Sequence, residues 1–218
     1  MSDFFSMNFL NFLFRWGHLL FGITWIGMLY YFNFVQGAYF KEGSPEAVAD
    51  AKKKLAPRAL WWFRWGAMFT FLTGVVLLWG LYHQHLLNNS ILVGATLGTL
   101  MFLNVWLVIW PNQQVALGLK EGGDAAQAAA KALLASRTNV LFSGPMAFYM
   151  LAGPHAPIGN GYGTPVGGTG LWVALILIAL LELNALVGKQ GPLETVKGVI
   201  TSSIVLTVVL VAVLTGLS

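Results

Sequence analysis

Six runs of mostly apolar residues, each near the length that crosses a bilayer, leave this chain few choices of fold. A helix needs about 20 predominantly apolar residues to traverse the hydrocarbon core. The runs fall at roughly 14–35, 60–82, 91–110, 139–153, 171–188 and 198–217, separated by polar or Gly/Pro-rich breaks. Charged residues make up 9% of the 218 residues and hydrophobic ones 57%, where a soluble domain carries about 25% charged. The expectation is an all-α, polytopic membrane helix bundle of about six transmembrane helices, a single integral membrane domain over residues 1–218.

Orientation follows from Lys and Arg, which concentrate in cytoplasmic loops. Lys41, Lys52, Lys53, Lys54 and Arg58 lie between the first two runs, Lys120, Lys131 and Arg137 between the third and fourth, and Lys189 and Lys197 between the last two. The intervening loops, around 83–90 and 153–170, carry none. This alternation predicts both termini on the non-cytoplasmic side of a bacterial inner membrane. The net charge of +4 is therefore read as topology, with no nucleic-acid partner, because the basic residues are scattered over short loops.

The N-terminus lacks the charged start and small-residue cleavage site of a signal peptide, so the first run is expected to stay. The aromatics Phe4, Phe5, Phe9 and Phe12 ahead of it suit the membrane interface. Pro111 is expected to end the third span, and the fourth, short and holding Pro145, is the weakest. Ser44 with Pro45, and Asp124 before an Ala-rich run to Ser136, predict short helices in two cytoplasmic loops. The loop 153–170 has a glycine spacing like that of dinucleotide loops, but no strand precedes it. The last run, with no aromatic or charged residue inside it, reads as a lipid-facing wall.

Polar residues inside a bilayer are costly and ask for a reason. His18 shares a helical face with Arg15 one turn outward and with Gly22 and Trp25 one and two turns inward. A histidine beside a glycine admits a flat group, haem iron is commonly held by histidine, and Arg15 is placed to pair with a propionate. The alternative stays open: His18 makes one interhelical hydrogen bond, Gly22 is a packing notch and Arg15 snorkels to the headgroups. His83, His85 and His155 lie in outer loops, so all four histidines fall on the outer half. His18 and His155 are the candidate ligands for haem iron or another imidazole-bound metal, whereas His83 and His85 read better as solvated interfacial residues.

Glu182 is the carboxylate well inside a predicted span, with Asn184 nearby and Arg64 as its candidate partner. It either fixes helix packing or belongs to a proton route. Asn104, Asn112, Gln113, Arg137 and Asn139 suit helix-end backbone groups, and Gly94-x-x-x-Gly98 permits a close helix contact, within the chain or in a homo-oligomer. There is no cysteine, which excludes disulfides, thiolate metal sites, iron–sulfur clusters and covalently attached c-type haem.

Arg15-Trp16-Gly17-His18, then Thr24-Trp25-Ile26-Gly27 and Tyr30-Tyr31-Phe32, resemble the opening helix of the membrane domain of the PuuD urate hydroxylase family. Trp62-Phe63-Arg64-Trp65, Asn104-Val105-Trp106, Trp110-Pro111-Asn112-Gln113, Ser136-Arg137-Thr138-Asn139 and the turn at His155 follow in the family's order. The first helix is also similar to that of CopD-type and HemJ-type membrane proteins, the latter associated with haem on a first-helix histidine. The resemblance implies a redox membrane protein, an oxidoreductase of urate hydroxylase type, with b-type haem at His18. PuuD proteins carry a cytochrome c domain as electron acceptor, so a separate cytochrome c-type partner on the periplasmic side is expected here. The competing expectation is a non-catalytic accessory or assembly subunit of a larger respiratory or photosynthetic membrane complex. A small transporter working through Glu182 is disfavoured by the absence of inverted repeats and paired broken helices.

Overall fold

A computed structural model describes residues 7–159 and 165–217. Phe4, Phe5 and the middle of the 153–170 loop lie outside that range. Among the described residues there is no strand, and six long helices carry the fold: α1 (Met7–Glu42), α2 (Pro45–His83), α3 (Asn89–Ala116), α4 (Ala125–His155), α5 (Thr169–Val187) and α6 (Val196–Gly216). All but α4 are long and apolar enough to cross a membrane. The protein is a multi-pass, all-α membrane bundle.

α4 is the exception because it stands in the middle. It packs on α1, α3, α5 and α6, with its Arg, Thr, Asn and Ser residues at 137, 138, 139 and 143 buried against them. A helix surrounded by protein can carry polar groups that lipid would not tolerate.

Helix starts are set by side-chain caps. Ser44 Oγ accepts from the Ala47 amide ahead of Pro45, Asp124 Oδ1 accepts from the amides of Ala126 and Gln127, Asn88 Oδ1 from Ile91 and Thr195 Oγ1 from Gly198. Each satisfies donors that the first turn leaves free. The caps at Ser44 and Asp124 fall where the sequence predicts them. The helices they open are not short and separate, however; they run on into the second and fourth spans.

Met7–Phe12, the part of the aromatic stretch within the described residues, forms the first turns of α1. Two further expectations need correction. The fourth span, expected to be short, belongs to a helix of 31 residues that passes through Pro145. The third span does not stop at Pro111. A π-helical stretch, Asn104–Ile109, precedes the proline, the Trp110 amide bonds back to the Val105 carbonyl, and the helix resumes to Ala116. Proline crowds the carbonyl one turn back and donates nothing to it; a wider turn makes room, and Asn112 Nδ2 donates to the Val108 carbonyl at 2.7 Å.

Small residues set the helix contacts. α1 packs closely along α2, where a Cβ on Gly66 would sit 3.1 Å from the Trp25 backbone nitrogen. Gly94 and Gly98 face Met150 and Met146 of α4, so this pair is used within the chain. α6 buries Val199, Ser203, Leu206, Leu210 and Leu214 and turns Ile204 and Val208 outward.

Candidate cofactor cavity

Antiparallel packing brings the ends of α2 and α4 and the starts of α1, α3 and α5 together. Asn88 Nδ2 donates to the Gly153 carbonyl at 3.0 Å, and the Gly170 amide to the Leu217 carbonyl at 3.1 Å. All four histidines lie toward this end.

Here a cavity of about 670 Å³ opens between α1, α2, α3 and α4, within the usual range for cofactor and small-molecule sites. Arg15, His18 and Trp25 line it from α1, Thr70 and Gly74 from α2, Gly98 from α3, and Met146, Met150 and His155 from α4. Residues separated by well over a hundred positions thus share one space. Gly22 lies beside Thr70, 4.0 Å from its Cγ2 to a Cβ built on the glycine, and is not among the lining residues. His83, in edge contact with Trp79 at 4.4 Å between centroids, and His85 do not line it either.

The His18 imidazole is held from behind. Its Nδ1 lies 2.9 Å from the Thr70 carbonyl and 3.1 Å from Thr73 Oγ1. The Thr73 hydroxyl is itself engaged with the carbonyls of Phe69 and Thr70. A carbonyl only accepts, so Nδ1 carries the proton, and in the neutral ring Nε2 keeps its lone pair. Nε2 makes no hydrogen bond to a described residue. Gly74 is why the ring fits: a Cβ there would stand 3.1 Å from His18 Cε1. The interhelical hydrogen bond and the free lone pair are therefore two faces of one arrangement, in which Thr70, Thr73 and Gly74 fix the ring. Only their small size and i, i+3, i+4 spacing in α2 hinted at this in the sequence.

Arg15 sits at the exposed mouth, its Nε donating to Asn11 Oδ1 at 2.7 Å. Trp25 is 2% exposed, and its Nε1 has no partner among the described residues. Among the described residues no three of His, Cys, Asp and Glu assemble into a metal-holding group, so any metal here draws on His18 and its cavity neighbours.

The second polar constellation lies toward the lysine-rich end. Asn104 Nδ2 donates to Asn139 Oδ1 at 3.0 Å and to Glu182 Oε2 at 3.1 Å, and Asn139 Nδ2 to the Met101 carbonyl at 3.0 Å. The expected Arg64–Glu182 pair is not formed. α5 packs on α3, α4 and α6 whereas α2 packs on α1 and α3, and the Arg64 guanidinium instead lies 3.8 Å from the Trp110 ring centroid. The π-helical stretch that begins at Asn104 re-aims that side chain, which the sequence did not single out as the partner of Glu182.

Fold and cavity define a multi-pass helical membrane protein with a cavity between α1, α2, α3 and α4 toward one end of the bundle. The chain belongs to the family described as urate oxidase N-terminal, matched over residues 84–215. This agrees with its likeness to PuuD-type membrane domains. No curated protein and no solved structure matches the chain. The matched region holds His155 and Glu182, while Arg15, His18, Gly22, Trp25 and Arg64 precede it.

Proposed function

We propose that this chain is the membrane part of a redox protein of urate hydroxylase type, holding a b-type haem in the cavity of Arg15, His18, Trp25 and His155. The observation that carries the reading is the His18 ring: Nδ1 is tied to the Thr70 carbonyl at 2.9 Å, Nε2 has no partner among the described residues, and the residue lines a cavity of about 670 Å³. A histidine that ligates a metal typically donates its other ring nitrogen to a carbonyl or carboxylate in this manner.

The residues present suit the group. His18 supplies a nitrogen ligand, His155 or a thioether of Met146 or Met150 a second, Arg15 at the mouth a counter-charge for a carboxylate, and the apolar walls of α2 and α3 a dry environment. Bound haem would supply one-electron chemistry. The chain's own part is to orient the imidazole through Thr70, Thr73 and Gly74 and to keep water from the apolar side. Urate as substrate comes from the family alone. The same reading places the cavity on the periplasmic side of a bacterial inner membrane, within reach of a cytochrome c-type partner.

A reduced-minus-oxidised absorption spectrum of the purified chain tests this. A b-type band that disappears in His18→Ala and persists in His83→Ala is expected. A folded, colourless protein would overturn it and favour an accessory role in a larger complex.

A further inference from the structure

A second cavity, of about 550 Å³, lies toward the other end of the bundle, between α5 and α6 with α4 as its floor. Leu177, Leu181, Val205 and Val209 form its walls, and Lys189 and Gln190 its rim. No Asp or Glu lines it, and Lys189 forms no ion pair among the described residues. The stretch from Leu177 to Val187 rises about 15 Å at the helical repeat, one leaflet of a hydrocarbon core ~30 Å thick.

The rim is built and not a loose loop. The Asn184 side chain clasps the Lys189 backbone, its Nδ2 donating to the carbonyl at 3.1 Å and its Oδ1 accepting from the amide at 3.4 Å. A short 3-10 turn, Gly191–Glu194, then folds back onto α6, where Gly198 has no room for a Cβ against the Pro192 carbonyl. Lys189 thereby stands at the head of a leaflet-deep apolar groove, at the end that also carries Lys52, Lys53 and Lys54.

We infer that this groove is a binding site for an anionic glycerophospholipid, an acyl chain lying against Leu177, Leu181, Val205 and Val209 and the headgroup phosphate meeting Lys189. An apolar chain lies against the leucine and valine side chains, and a single negative charge matches Lys189, the one cation that lines the groove. Basic pockets between transmembrane helices recognise acidic headgroups on this principle. The groove is at the opposite end from the histidine cavity, so the inference stands apart from the haem proposal.

Native mass spectrometry of the full chain, incubated with equal dioleoyl phosphatidylglycerol and dioleoyl phosphatidylcholine, provides the test. Selective retention of phosphatidylglycerol is expected. Lys189→Gln should cut that selectivity about fivefold, the factor of one basic residue near an anionic surface. Val205→Trp, which fills the groove from an exposed position, should remove both lipids, with circular dichroism melting confirming that both variants fold. Equal retention of the two lipids, an unchanged preference in Lys189→Gln, or a dimer that Val205→Trp dissociates with lipid binding unaffected would each overturn the assignment.

Discussion

Replacing Gly66 with alanine should loosen the helix pair that carries His18. The added Cβ would lie 3.1 Å from the Trp25 nitrogen and 3.3 Å from its Cα, where carbon atoms normally rest at ~3.5–4.0 Å. Both neighbours are backbone, so no rotamer change relieves the contact and α1 must move away from α2. Overpacking of this kind costs about 1 to 3 kcal/mol. Alanine also gains roughly 1 kcal/mol over glycine in helix propensity, which would hide much of the loss if Gly66→Ala were measured alone. Gly27 removes the ambiguity: it lies in α1 with nothing within 4 Å of its built Cβ, so Gly27→Ala collects the propensity gain without the clash. The difference between the variants isolates the contact. At about 2–4 °C per kcal/mol for a chain of this size, Gly66→Ala should melt about 2–12 °C below Gly27→Ala, followed by circular dichroism in detergent. Equal melting temperatures would refute the close α1–α2 crossing and the placement of His18 that depends on it.

Gly74→Ala presses on His18 Cε1 and should shift or weaken the absorption band of bound haem with little loss of melting temperature, since a ring yields more easily than backbone; an unchanged spectrum would count against the imidazole geometry. Asn88→Ala removes both the α3 cap and the bond to the Gly153 carbonyl, costing about 1–2 kcal/mol for the cap and about 1 kcal/mol for the bond. Thermal melting should show the loss, and a shift no larger than that of an exposed Gln127→Ala control would contradict it. Asn104→Leu strips Glu182 and Asn139 of a shared donor and should destabilise by about 1–3 kcal/mol, read as a lower melting temperature that Glu182→Gln does not reproduce; matching losses in the two variants would show that the carboxylate and not the asparagine organises the cluster.

What the residues alone determined was the class of molecule: long apolar runs with few charges can only be placed in lipid as helices, because no other open structure satisfies the backbone there. The caps at Ser44 and Asp124 were equally legible, since a cap is a contact between neighbours in the chain. Arg15, His18 and Trp25 could be put on one face from their spacing, for the same local reason. Only the tertiary structure decided who meets whom across helices. Helix rotation and packing order bring His155, Met146 and Met150 to the cavity that His18 lines, set Arg64 over Trp110, and give Glu182 to Asn104. The π-helical stretch ahead of Pro111 carries the third helix past its proline and turns Asn104 inward. Such a wide turn alters the side-chain register by a fraction of a turn, and its stability depends on the helices packed around it, so a pattern read along one chain does not disclose it.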